Sequence, residues 1–521
     1  MSQMLKSSGA VGAATLISRL LGMVREMVYA QFMGDQWVAG AFKAAFMVPN
    51  LFRRLLGEGA LSASVIPIFK EKETLAGEPE MWRATNAVIS GLFVATAAIA
   101  VLGMLGVSLW LAVGDFERHL PTLLMLRLLR VMFPYLVLVC LAALFMGILN
   151  ARGHFFVPTM GVTTLNLVMI ASVLWLAPVW GHGLTEQIFA LAVGVVLAGV
   201  GQAAFQLPLL RREGFRYRWE SPWRDPTVQR VVRQMLPGVV GVAAYQFNVL
   251  ATQTIAFTVD ARLAASFDYA VRLMELPQGL FGISLATYLL PTLSGHAAAK
   301  KYGWFRRTLL QGLNYMFFLN LIASVLLMVL AEPIVRLLFE RGQFDFESTQ
   351  RVASALRCLA PGLICFSGVN IVARAFYSLG DTRSPMWVGV FCFGVNLLLS
   401  ATLIHPFRQA GLGMANTISS LLNLLLLLYA LKRKLPKLEL AQQIQPLLKM
   451  LGATLLAAGV AVLGTHYWTG YVSSHALLAK LGAVFIPALG AAGAYFAASW
   501  ALRIAFVKDV GRLLSKSVGR A

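Results

Sequence analysis

Residues 130–158 read RVMFPYLVLVCLAALFMGILNARGHFFVP, and residues 357–385 read RCLAPGLICFSGVNIVARAFYSLGDTRSP. Both carry the frame Arg-x3-Pro-x18-Gly-x4-Pro: Arg130, Pro134, Gly153 and Pro158 in the first, Arg357, Pro361, Gly380 and Pro385 in the second. The two frames are 227 residues apart, and Pro49 with Pro277 and Gly183 with Gly411 recur at 228. Six landmarks recurring within one residue of the same offset indicate an internal duplication. The segment between each proline and glycine is almost wholly apolar, close to the 20 or so residues that cross a bilayer.

Such runs recur through all 521 residues, of which 58% are hydrophobic and only 13% charged, far from a soluble domain's roughly 25% charged. Fourteen are marked off by polar or Gly/Pro breakers. Those of the first half are Ser8–Met33, Val38–Phe69, Ala84–Val113, Thr122–Asn150, Phe156–Ala177, Gln187–Leu210 and Val228–Val259. The second half gives Ala264–Ser294, Thr308–Ala331, Thr349–Leu379, Pro385–Ile404, Gly411–Leu431, Pro446–Tyr467 and Leu481–Phe506. The expected fold is an all-α polytopic membrane protein with 14 transmembrane helices. Six runs fit in one repeat, and an even number makes the repeats parallel rather than inverted. The expected domains are a six-helix bundle over 1–225, a second over 226–435, and two added helices over 436–521.

The net charge of +21 would suggest nucleic acid in a soluble protein. Here most Lys and Arg lie between runs, as topology-setting charges do, and no nucleic-acid partner is implied. With the N-terminus inside, the inner segments hold about 27 basic residues and the outer ones about 7, so both termini are expected in the cytoplasm. A cleavable signal peptide is not expected, because Arg19, Arg25 and Glu26 interrupt the first run. Cys140, Cys358, Cys365 and Cys392 all sit in apolar runs without metal-ligand spacing and read as small core residues.

The basic residues within runs include Arg19, Arg25, Lys43, Arg53, Arg54, Arg127, Arg130, Arg272, Arg357 and Arg374. Six belong to runs 1, 2 and 8. An intramembrane charge costs about 2.5–3.5 kcal/mol on insertion scales and marks function by default, so six together imply a hydrated cavity. Glu26, Glu58 and Glu275 are the only three acids expected well inside the runs, which leaves a surplus of three positive charges. That surplus suits an anion such as a diphosphate, whose oxygens match the planar guanidinium fork. Arg54 with Glu58 and Arg272 with Glu275 have helical spacing for local pairs, whereas Arg53 has no such neighbour. Glu26 shares a helix face with Arg19, and Arg25 points about 120° away. Pro49, Gly57, Gly59 and Pro67 in run 2, and Pro277, Gly279, Gly282 and Pro291 in run 8, break both helices beside these charges.

Three motifs carry a family resemblance: Ser18-Arg19-x-Leu21-Gly22-x2-Arg25-Glu26, then Pro49-Asn50-Leu51-x-Arg53-Arg54-x3-Glu58-Gly59-Ala60-x5-Ile66-Pro67, and Arg272-Leu273-Met274-Glu275-x-Pro277-x-Gly279-x2-Gly282. Together they resemble the MurJ (MviN) family of lipid II flippases within the MOP exporter superfamily. The resemblance implies movement of lipid II, the undecaprenyl-diphosphate-linked disaccharide-pentapeptide, from the inner to the outer leaflet of the bacterial cytoplasmic membrane for peptidoglycan synthesis. It implies that Arg19, Arg25, Arg53 and Arg272 line a central cavity, with Lys43 as a further cation. It also implies a lipid-tail groove from the last two helices, where Ala453, Ala457, Ala458, Gly490, Ala491 and Gly493 are small; small-residue helix packing is the competing reading. Gly40 and Val271 stand where the family often has acids, and Met47 where it often has a base.

The expected cycle is alternating access: substrate bound by Arg19, Arg25, Arg53, Arg272 and Lys43, with Glu26, Arg54, Glu58, Glu275, Pro49 and Pro277 gating or pairing. No bond is made, so no enzyme and no cofactor are expected. Membrane lipids are expected partners. Na⁺, with Gln246, Asn248, Asn370 and Asn396 as candidate ligands, and the membrane potential are the candidate energy sources. The competing functions are an exporter of another polyprenyl-diphosphate glycan, a MATE-like small-molecule exporter, a prenyl-diphosphate enzyme and a cell-wall assembly scaffold. An acidic cavity expected of a cation exporter is missing from the motifs, as are HExxH and GxSxG.

Overall fold

A computed structural model of the chain describes residues 2–57, 60–115, 119–471, 477–504 and 506–507. Backbone donors and acceptors in a bilayer must be satisfied within the segment, and the described residues are accordingly almost entirely helical. Among the described residues, all but the last of the fourteen apolar runs lie on helices or on helical segments, and the last continues past its helix end at Ala501. Among the described residues, nine helices are long and apolar enough to cross a membrane, or ten when Phe346–Leu359 and Gly362–Ser378, bent by 44°, count as one span. Two of the nine are double-length and broken in the middle. One turns at Gly77 (φ 79°) and the other at Arg408 (φ 52°), each break falling between two runs.

The chain forms two compact units, Met1–Ala265 and Ser266–Ala521. In the first are α1 (Ser2–Met33), α2 (Trp37–Phe52), α3 (Ala60–Val113), α4 (Leu120–Met132), α5 (Pro134–Ala151), α6 (Phe156–Ala171), α7 (Ala177–Trp180), α8 (Leu184–Arg212) and α9 (Pro226–Val259). Here α5 packs between α3 and α8, α6 joins α8 to α1, and α2 lies on α4. Tyr135, Leu136, Leu128 and Leu191 are fully enclosed at this core.

The boundary falls inside α10 (Ala261–Pro277). The second unit continues with α11 (Ser284–Ala298), α12 (Tyr302–Val329), α13 (Ala331–Leu338), α14 (Phe346–Leu359), α15 (Gly362–Ser378), α16 (Arg383–Lys434), α17 (Ile444–Tyr471) and α18 (Leu477–Ala501). In it α15 packs on α11, α12 and α16, and α17 packs on α12 and α18. Ala453, Ala457 and Ala491 are buried in that last contact beside Phe318 and Tyr495, whose hydroxyl donates to the Phe318 carbonyl at 2.8 Å. Gly490 and Gly493 are exposed.

The duplication is visible in backbone detail. Both frames begin at a helix break, after Met132 and after Leu359. Both hold their glycine in the left-handed region, Gly153 (φ 86°) and Gly380 (φ 74°). Around Gly153, His154 N donates to Leu149 O and Gly153 N to Asn150 O; around Gly380, Asp381 N donates to Phe376 O and Gly380 N to Tyr377 O. These are the crossed bonds of a glycine C-cap, displaced by the offset read from sequence. Each turn is then tied to the end of its sixth apolar run, with the charges exchanged. Arg152 and His154 bond Glu213 at 2.9 and 2.8 Å, whereas Asp381 bonds Lys434 at 2.7 Å. The His154 bond, aided by Arg152, holds the Glu213 carboxyl below its ordinary range. Lys434, helped by the Ser384 backbone, does the same to Asp381.

Gly40 is fixed by space. A Cβ there would lie 2.0 Å from the Ala261 carbonyl oxygen and 2.6 Å from its carbon, so α2 runs against the start of α10 with no room for any side chain, acidic or not. Gly40→Ala is therefore expected to destabilise the protein by about 2 kcal/mol, at the usual scale of overpacking, read as a lowered melting midpoint in detergent. An unchanged midpoint would show that the contact yields freely.

Candidate functional site

The first charged motif lies on the unbroken helix α1, whereas the other two fall where the helix widens into a π turn. After Pro49, which leaves one helical acceptor without its N–H partner, residues Arg53–Gly57 form a wide π-helical turn. After Pro277, Gln278–Ile283 form another. Extra-residue turns of this kind frequently mark functional sites. Gly282 allows the second to close on α15: a Cβ there would lie 2.4 Å from the Ser367 hydroxyl oxygen, which donates to Asn320 Oδ1 at 3.2 Å.

Arg25 is largely enclosed, with 14% of its side chain exposed. Its Nη2 donates to Glu26 Oε1 at 2.6 Å, its Nη1 donates to Asn166 Oδ1 at 3.0 Å, and its guanidinium carbon lies 5.5 Å from the Tyr29 ring centre. Asn166, on α6, also donates through Nδ2 to the Ser18 carbonyl on α1 at 3.2 Å. Glu26 thus serves its immediate neighbour rather than Arg19, whose helix face it shares. Adjacent helix residues do not face each other, but the long arginine stem bends back where Asn166 takes its other nitrogen.

Arg53 sits on the first residue of the π turn, half-buried, its Nε donating to Asn50 Oδ1 at 2.8 Å. Arg54 follows it, and its expected partner Glu58 lies outside the described residues. Among the described residues neither Arg19 nor Arg54 pairs with a carboxylate; both are half-buried, as is Lys43. These cations all belong to the first unit.

Arg272 belongs to the second unit. Its Nη1 reaches Glu275 Oε2 at 3.0 Å, the local pair that the spacing suggested, and its Nη2 lies 3.8 Å from Asp268 Oδ1. Asp268 is four residues into run 8 and was left out of the count of intramembrane acids. Including it lowers the surplus from three to two. Arg272 is accordingly flanked on its own helix by carboxylates one turn away on each side, in place of the acid missing at Val271.

Asn166 and Asp268 are the site residues that charge counting missed. Asp268 was findable by its i,i+4 spacing to Arg272. Asn166 was not, since an asparagine 141 positions from its arginine carries no local signal. Of the candidate Na⁺ ligands, Asn370 donates to the Phe366 carbonyl at 3.0 Å and Asn396 accepts from Ser419 at 3.1 Å. No group of three or more His, Cys, Asp or Glu able to hold a metal occurs among the described residues.

Comparison with known proteins gives one consistent family. Residues 29–482 match the family model described as lipid II flippase MurJ. The chain is 35% identical over 443 residues to the MurJ homologue of Vibrio cholerae serotype O1, covering 82% of each chain. It is 32% identical over 515 residues to that of Bdellovibrio bacteriovorus, covering 96% of this chain and 95% of the other. Among solved structures, a lipid II flippase MurJ in an inward closed conformation superposes with a TM-score of 0.78 at 21% identity, over 96% of this chain and 99% of that one. An inward-facing MATE multidrug transporter of the MOP superfamily gives 0.64 at 14% identity, over 83% and 99%. These two likenesses establish the fold shared with MOP exporters, and the sequence matches settle the rest: the chain belongs to the MurJ family of lipid II flippases.

Proposed function

We propose that this protein moves lipid II from the inner to the outer leaflet of the bacterial cytoplasmic membrane by alternating access, with both termini in the cytoplasm and without chemical change to the substrate. The observation that carries this reading is the cationic π turn at Arg53–Gly57 in a chain of this family. A guanidinium carried on a wide helical turn offers its planar fork of donors to phosphate oxygens. We assign Arg53, Arg54, Arg19 and Lys43 to attraction of the diphosphate. Arg272, flanked by two carboxylates, exchanges those partners for the diphosphate as the cycle proceeds. Arg25 holds α1 to α6 through Asn166 and keeps one cation oriented.

The same charge accounting suggests the energy source. A diphosphate carrying two negative charges moves outward down an inside-negative potential, which contributes about 5 kcal/mol at 100 mV. The hydrocarbon tail stays in lipid or along α17 and α18 while the headgroup crosses.

Two variants test the assignment. Arg53→Ala is expected to leave protein level unchanged yet fail to support growth of a flippase-depleted strain, with Arg53→Lys partly restoring it; normal growth of Arg53→Ala contradicts the reading. Asn166→Leu removes one charge-assisted hydrogen bond, worth about 1.5–3 kcal/mol, and is expected to slow translocation about tenfold or more in a correctly inserted protein. Wild-type rates would remove Arg25 from the working set.

A further inference from the structure

Between α8 and α9 the chain runs for a dozen residues without helix, and it is pinned along the start of the apolar part of α3. Phe215 is buried, its ring 5.6 Å from Trp82 and 6.2 Å from Phe145. Asn86 donates to the Arg216 carbonyl at 3.1 Å, and Ser90 Oγ and Tyr217 Oη are 3.2 Å apart. Pro222 is buried so close to Gly91 that a Cβ there would stand 3.1 Å away. Asp225 ends the segment, accepting from Thr227 N at 2.8 Å and from Arg83 at 3.1 Å. The strap is therefore a fixed surface.

Its outward face alternates cations with aromatic rings. Tyr217, Trp219 and Trp223 are 50%, 57% and 71% exposed, and Arg216, Arg218 and Arg224 beside them are also exposed. Glu213 is occupied by Arg152 and His154 and Asp225 is buried against Arg83, so within the strap the half-buried Glu220 stands against Arg216, Arg218 and Arg224 and the face stays basic. The anchors on α3 run from Trp82 to Gly91, a rise of about 13 Å at 1.5 Å per residue. That distance begins just before the apolar run and ends within it, so it covers the headgroup layer and the top of the hydrocarbon. Amphipathic rings prefer this depth, and arginines there face lipid phosphates.

We infer that residues 214–224 form a docking surface for anionic phospholipid headgroups of the leaflet at this end of the first unit, with Trp219 and Trp223 at the interface and Arg216, Arg218 and Arg224 reading negative charge. Topology-setting charges alone would need neither the rings nor the anchors. The inference is independent of what the protein transports.

The test uses the full-length protein in bilayers containing a minor fraction of lipid brominated on its acyl chains, either phosphatidylglycerol or phosphatidylcholine. The fluorescence lost in Trp219→Phe/Trp223→Phe isolates the strap signal from the other tryptophans. That signal is expected to be quenched at least twofold more by the brominated anionic lipid, and Arg216→Gln/Arg218→Gln/Arg224→Gln is expected to abolish the excess. The wild-type comparison decides by itself. Equal quenching by both lipids overturns the inference, and so does quenching by neither, which would place the strap in water or against an acidic protein.

Discussion

A guanidinium inside an apolar helix bundle has to be satisfied, and the way each one is satisfied organises this protein. Removing one partner of a buried pair costs several kcal/mol because the other charge is stranded. Arg25, closed in by Glu26, Asn166 and Tyr29, is committed to the packing of α1 on α6. Arg53 and Arg54 stand on a helix that has been opened at Pro49, and Arg272 sits between Asp268 and Glu275. The family motif therefore contains cations of different standing: Arg25 ties two helices together, whereas Arg53 and Arg272 bond to side chains of their own helices.

The fold alone does not select the substrate, since MATE multidrug transporters share it. Two repeats with the same helix breaks and the same glycine caps supply matched halves, and each half carries a π turn just beyond its paired proline. Such turns bend a helix locally and are frequent at functional sites.

Much of this was legible in the sequence because its signals are local or periodic. Arg130 to Pro158 and Arg357 to Pro385 gave the duplication, and the structure returns the same offset in the hydrogen bonds around Gly153 and Gly380. The Arg272–Glu275 pair followed from helical spacing. What escaped depends on distant contact: Asn166 reaching Arg25, the Gly40 backbone against Ala261, and the strap pinned to α3. The choice of Arg25 over Arg19 by Glu26 was also invisible, because a long side chain can reverse the preference set by helix geometry. Several small residues of the last two helices proved to be packing positions, as their spacing equally allowed.

The central claim is that this chain alone carries a diphosphate-linked lipid across the bilayer by means of these cations. The most direct measurement is the appearance of labelled lipid II in the outer leaflet of vesicles that contain this protein and no other, under an imposed membrane potential. Translocation that is fast for the wild type, accelerated when the receiving side is positive and largely lost in Arg53→Ala is the predicted result. A rate equal to that of protein-free vesicles, or one indifferent to Arg53, would contradict the account.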